Sequence, residues 1–162
     1  MAKVPTVRIR KAGRDDFEAI IALVDRCLPG DAPFAVRYFK RYFSRDSLLV
    51  KDRVYVGELK GKVIGVSGYS LDHFATDYAH WLTWFVVAPE YRGKEDGLVA
   101  AKMLRAVITE LKHLKVKKVF VATLSSDARA LRFYLKHGFE MEARLCDYYC
   151  RDEDQLILGR YL

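Results

Sequence analysis

Residues 81–98 read WLTWFVVAPEYRGKEDGL. The apolar run over 79–87 predicts a buried strand that ends at Pro89. Behind it, Glu90-Tyr91-Arg92-Gly93-Lys94 forms a basic, glycine-bearing turn. A long amphipathic helix follows over about 97–114, with Leu104, Val107, Ile108 and Leu111 at helical spacing. A loop that enters a helix this way aims free backbone N–H groups at an anion. The helix dipole adds roughly half a positive charge at that end.

Outward from this stretch the pattern alternates. Val7-Arg8-Ile9-Arg10 reads as a strand. A first helix follows Asp15, with Glu18 three residues on as in a capping box, and carries Phe17, Ile20, Ile21, Val24 and Leu28 on one face. Pro29-Gly30-Asp31 ends it, and 33–43 reads as a second, aromatic-rich helix. Strands over 53–59 and 62–71 meet at Lys60-Gly61, a hairpin signal. Downstream, 117–123 reads as a strand and 128–137 as a helix ending at Gly138. Residues 139–150 and 155–161 read as a last strand pair. The order β-α-α-β-β-β-α-β-α-β-β has no repeat or linker, which predicts one α/β domain over 1–162 with a mixed sheet.

Composition narrows the classes. A chain of 162 residues with 51% hydrophobic and 13% aromatic content buries a real core and is not disordered. No apolar run approaches the ~20 residues of a membrane helix, and Met1-Ala2-Lys3-Val4-Pro5 lacks the apolar stretch of a signal peptide, so a cytoplasmic protein is expected. Cys27, Cys146 and Cys150 are an odd count without a matching Cys/His pair, which predicts free thiols and no metal. The net charge of +7 suits an anionic partner. The basic run Lys112, Lys115, Lys117 and Lys118 sits where cations favour a helix C-terminus, and no nucleic-acid motif accompanies it.

The loop and the later stretch Ala130-Leu131-Arg132-Phe133-Tyr134-Leu135-Lys136-His137-Gly138-Phe139 together resemble motifs of the GNAT superfamily of acyl-CoA-dependent N-acetyltransferases. The element order is the GNAT order, so the resemblance covers nearly the whole chain. It implies a single-domain GNAT fold with a mixed, mostly antiparallel central sheet flanked by helices. It also implies acetyl-CoA as cosubstrate, held with its pyrophosphate over Arg92, Gly93, Lys94, Glu95, Asp96, Gly97 and Leu98. Against the family pattern Arg/Gln-x-x-Gly-x-Gly/Ala, Arg92 and Gly97 match, but Glu95 replaces the central glycine. Its carboxylate and that of Asp96 place negative charge near a pyrophosphate.

By the same resemblance, the backbone of Phe85, Val86 and Val87 pairs with the pantetheine arm and faces the thioester carbonyl. Tyr134 is the expected catalytic acid, protonating the departing thiolate, and also a coenzyme contact. The alternative is a tyrosine packed on the apolar face of its helix. Asp127 stands where many relatives carry an asparagine near the pantetheine, or caps the helix.

No general base is visible. Thr83 and Trp84 occupy strand positions where many relatives carry an acidic residue, and Ala122 stands where some carry a glutamate. His80, Asp72, His73 and Glu90 are neighbouring titratable groups. Tyr148-Tyr149-Cys150-Arg151-Asp152-Glu153-Asp154-Gln155-Leu156 resembles a stretch of the ribosomal-protein and related protein N-terminal acetyltransferases, where a tyrosine-bearing loop covers the peptide site. The resemblance thus implies direct acetyl transfer to a primary amine, either a protein or peptide N-terminus or a small amine. A GNAT-fold acyl-CoA-binding or regulatory protein with little turnover is the alternative. Membrane and nucleic-acid partners are not expected, and a homodimer is left open.

Overall fold

The computed structural model describes residues 6–44, 52–74, 76–93 and 97–162, with 97 and 98 described by backbone alone. Among these residues the elements run β1 (Arg8–Lys11), α1 (Phe17–Cys27), α2 (Ala32–Phe43), β2 (Arg53–Leu59), β3 (Lys62–Leu71), β4 (Ala79–Val87), α3 (Gly97–His113), β5 (Lys118–Leu124), α4 (Ala128–Lys136), β6 (Glu140–Cys150) and β7 (Glu153–Tyr161). Seven strands follow the order β1-β2-β3-β4-β5-β7-β6. The β4/β5 pair is parallel, while β1/β2, β2/β3, β5/β7 and β6/β7 are antiparallel. This is the expected mixed, mostly antiparallel α/β arrangement. No helix among the described residues is long and apolar enough to cross a membrane. By contact density the chain divides into two compact units, 1–70 with 83–110 and 71–82 with 111–162.

In the first unit, β2 and β3 are joined at Lys60 (φ 50°) and Gly61 (φ 77°), both in the positive-φ region that a primed two-residue hairpin turn requires. Ile20, Leu23 and Val24 of α1, Ala35 and Phe39 of α2, and Val54, Val56, Ile64 and Val66 of the hairpin are buried together with Val86, Val87, Val99 and Met103. Gly57 and Gly65 are partners across β2 and β3. A Cβ on Gly65 would meet Met103 Sδ at 2.5 Å, and one on Gly57 would meet it at 3.3 Å. The bare glycine pair is therefore the floor on which the α3 methionine rests.

Helix α1 starts differently from the expected Asp15/Glu18 box. A single 3-10 turn over Arg14–Asp16 precedes it, and Asp16 accepts from the Gly13 N–H at 2.7 Å. Asp16 also takes both ends of the Arg10 guanidinium at 2.7 and 2.8 Å, and Arg10 bonds Glu58 as well. One carboxylate thus ties β1 to the helix start, a role that spacing alone did not reveal.

In the second unit, β4 pairs with β5 over Ala79↔Lys118, His80↔Val119 and Trp81↔Phe120. β5 pairs with β7 along its whole length, and β7 with β6. Lys118 crosses the sheet to Glu142 at 2.7 Å and lies over the rings of Phe120 and Tyr161. Gly159 leaves room for that bridge, since a Cβ there would stand 2.0 Å from the Glu142 carboxylate. Glu142, then, raises the Lys118 pKa and explains one cation of the basic run as part of the sheet. β7 begins at Glu153, two residues before the expected position, because Asp152 (φ 64°) reverses the chain at once. All three cysteines are free thiols.

Candidate active site

β4 ends at Val87, and a 3-10 turn over Pro89–Tyr91 carries the chain to Arg92 and Gly93. Gly93 has φ +83° with nothing within 4 Å of a built Cβ, so backbone conformation and not space calls for glycine there. The Arg92 Nε–H donates to the Val87 carbonyl, folding the guanidinium back on the strand end. The Cys27 thiol approaches the same oxygen at 3.8 Å. Ala88 donates to Ile64 O at 2.8 Å, anchoring the exit of β4 on β3. Arg26 pairs with Glu90 at 3.2 Å, and both side chains are half exposed. Lys94, Glu95 and Asp96 lie outside the described residues, as does the Leu98 side chain; α3 begins at Gly97.

One residue upstream of Phe85, the strand departs from regular pleating. Trp84 has φ 48°, the left-handed region that a bulky residue rarely adopts. In a regular strand, successive side chains point to opposite faces. Here both Thr83 and Trp84 meet the same residue of α2, Tyr38. The Trp84 ring lies 5.8 Å from the Tyr38 ring and 5.6 Å from Phe39. The Thr83 hydroxyl sits close enough to the Tyr38 oxygen to favour its ionised form, yet falls short of hydrogen-bond geometry and leaves its own buried oxygen without a hydrogen-bond partner.

Tyr38 Oη donates to the Asp52 carboxylate at 3.1 Å, and Asp52 is only 6% exposed. Burial, followed by the Asp52 charge, pushes the Tyr38 phenol above the usual tyrosine range. Tyr42, stacked 6.3 Å from Tyr38, uses its own hydroxyl to accept the Val54 N–H at 3.0 Å. The Asp52–Tyr38–Thr83 grouping went unseen in the sequence. Tyr38 was only one ring of an aromatic-rich helix, and Asp52 is fourteen residues away.

The neighbouring titratable groups sit in structural or surface settings. His80 is buried on β4 opposite Val119. Asp72 accepts the Phe74 N–H, and the His73 ring packs on exposed Phe74. Glu90 is held below the usual carboxylate range by its own backbone N–H and by Arg26.

In the second unit, Tyr134 lies on α4 and is 5% exposed, edge-on to Phe133 and Phe139 at 5.4 Å each. Burial first, and the Asp127 carboxylate second, raise its phenol above the ordinary range. Asp127 caps α4, its Oδ1 accepting from the Ala130 N–H at 2.9 Å. The helix stops where Gly138 takes φ +81° and Phe139 N–H returns to Tyr134 O. Tyr148 and Tyr149 stand exposed on β6, with Gln155 donating to Tyr149 Oη at 2.9 Å. Beneath them, buried Asp154 gathers the Asp147 N–H and Arg144, while Glu153 holds the Ser125–Ser126 turn.

Comparison with known proteins was made on sequence and on fold. The Acetyltransferase (GNAT) family pattern matches residues 17–139. A spermine/spermidine N(1)-acetyltransferase of Bacillus subtilis is 30% identical over 91 residues, which is 53% of this chain and 58% of that relative. Among solved structures, a GNAT-family protein from Desulfovibrio desulfuricans superposes with a TM-score of 0.85 at 21% identity, covering 96% of this chain and 99% of that one. The ribosomal-protein-alanine N-acetyltransferase of Brucella melitensis superposes with a TM-score of 0.75 at 22% identity, covering 96% and 99%.

Proposed function

Because the chain belongs to the GNAT acetyltransferase family, whose members are acetyl-CoA-dependent enzymes, we propose that it moves the acetyl group of acetyl-CoA directly to a primary amine. The observation that carries this is the family match over 17–139, which spans the Arg92–Gly93 loop, the helix behind it and Tyr134. The loop holds the pyrophosphate with backbone N–H groups and Arg92. A β4 backbone N–H polarises the thioester carbonyl, a role worth ~3 kcal/mol elsewhere. Tyr134 returns a proton to the thiolate. Asp127 contributes through the start of α4.

The acceptor class draws support from two relatives with different acceptors in their names, a polyamine and a protein alanine. Both are primary amines. Acetyl-CoA titrated by calorimetry, followed by thiol release over a panel of α-amines, polyamines and lysine peptides, tests the proposal. Binding without release on any amine would favour the alternative, a GNAT-fold acyl-CoA-binding protein, which Glu95 in the pyrophosphate loop motivates. Absence of acetyl-CoA binding would overturn both.

A further inference from the structure

Acetyl transfer to an amine leaves one requirement unmet by the groups above. As the nitrogen attacks the thioester carbon it becomes cationic, and its proton must leave before the amide forms. The family-type position for that task holds Thr83 and Trp84, and neither takes up a proton. Yet the positive φ of Trp84 turns both residues toward α2, where Thr83 meets Tyr38 and Tyr38 donates to buried Asp52. Thr83 lies two residues, within about 7 Å along the strand, of Phe85.

Resting on the acetyl-transfer proposal above, we propose that Tyr38 and Asp52 form the proton-accepting relay of this enzyme, with Thr83 beside the Tyr38 hydroxyl. The amine N–H bond breaks as an O–H bond forms at Tyr38 Oη. The original Tyr38 O–H proton passes to the Asp52 carboxylate. The electron pair left on nitrogen completes the amide, and thiolate leaves. A positive nitrogen and a negative carboxylate become two neutral groups, a change that a desolvated setting favours over water.

Three features fit this assignment. Tyr38 stays protonated at neutral pH, so it accepts a proton only as it hands its own onward. Its hydroxyl already points at the carboxylate. The Thr83 oxygen beside Tyr38 is a buried hydroxyl with no hydrogen-bond partner of its own. The groups that act on Tyr38 are Asp52 ahead of β2, Tyr42 on α2 and Thr83 on β4, and the Arg53 guanidinium reaches the Asp52 backbone carbonyl at 2.8 Å. A carboxylate from the lead into β2 thereby serves a strand that lacks one.

The test uses the full chain and an amine that the parent turns over. Tyr38→Phe and Asp52→Asn should each lower kcat by ~10²-fold, with acetyl-CoA affinity by calorimetry unchanged. Asp52→Glu should recover much of the loss. Tyr42→Phe, which loses a hydrogen bond in the same ring stack, should lower thermal stability and leave kcat within about twofold, separating the relay from packing. A Tyr38→Phe enzyme with the parent's kcat would overturn the relay while leaving the transfer proposal standing. A parent inactive on every amine would instead overturn the transfer proposal and the relay with it, and that outcome appears before any variant is made.

Discussion

Tyr134 carries two opposed consequences of its burial. With its phenol raised, it is fully protonated at pH 7, as a general acid must be. The same shift makes donation to a thiolate of ordinary pKa ~8.5 more uphill than the ~1.5 units that an unperturbed phenol would face. Tyr134→Phe keeps both 5.4 Å ring contacts and removes only the hydroxyl. For a packing role, the variant should lose about 1 kcal/mol of stability and little rate. For the acid role we expect kcat ~10²-fold lower with acetyl-CoA affinity nearly intact. Stopped-flow thiol release beside calorimetry distinguishes the two. At Arg92 the expectation is different in kind. Its Nε is engaged by the Val87 carbonyl, so Arg92→Ala removes a phosphate ligand and a tie on the end of β4 together. Acetyl-CoA binding should weaken by ~1–3 kcal/mol, and calorimetry showing parental affinity would remove Arg92 from the pyrophosphate site.

Elements were legible in the sequence almost to the residue, since the apolar periods of α1, α3 and α4 and the Lys60-Gly61 turn are local signals. What stayed hidden depends on residues far apart in the chain or on backbone torsions. The Gly57/Gly65 pair is one such feature, because nothing local says that a methionine from α3 will sit on it. Gly65→Ala should destabilise by ~1–3 kcal/mol, as overpacking does, measured by denaturant unfolding. Shortening Met103 in the same molecule should recover part of that loss. Asp16 is another. Arg10 and the Gly13 N–H hold its carboxyl below the usual aspartate range. A lowered folded pKa means that its stabilisation is complete above the unfolded value near ~3.9 and vanishes as pH falls through the folded one. Asp16→Asn should thus cost about 2 kcal/mol at pH 7 and less below pH ~3, a difference that unfolding curves at the two pH values would show.

At the scale of the whole molecule, the proposed transfer to an amine makes the acceptor's own basicity decide the expected rate. A lysine-like amine at pKa ~10.4 costs ~4.6 kcal/mol to neutralise at pH 7, whereas an α-amine near ~8 costs only ~1.4. A relay that accepts a proton after attack does not lower this entry requirement. Turnover should favour α-amines at pH 7 and climb with pH until the amine is neutral. Equal rates on lysine side chains with a flat profile would mean that a stronger base acts before attack. The acceptor remained illegible in the sequence because it depends on which side chains meet an incoming amine, and Tyr38, Asp52 and Thr83 come from three separate stretches.

The bend at Trp84 also makes the protein its own optical probe. The chain has two tryptophans, three residues apart on one strand. Trp84 packs on Tyr38 and Phe39 in the first unit, while Trp81 packs on Phe120 in the second. Replacing either with phenylalanine leaves a single tryptophan emitter in a known neighbourhood. In the Trp81→Phe protein, an amine that engages Tyr38 should shift or quench the remaining fluorescence, so acceptors can be ranked by light before any product is assayed.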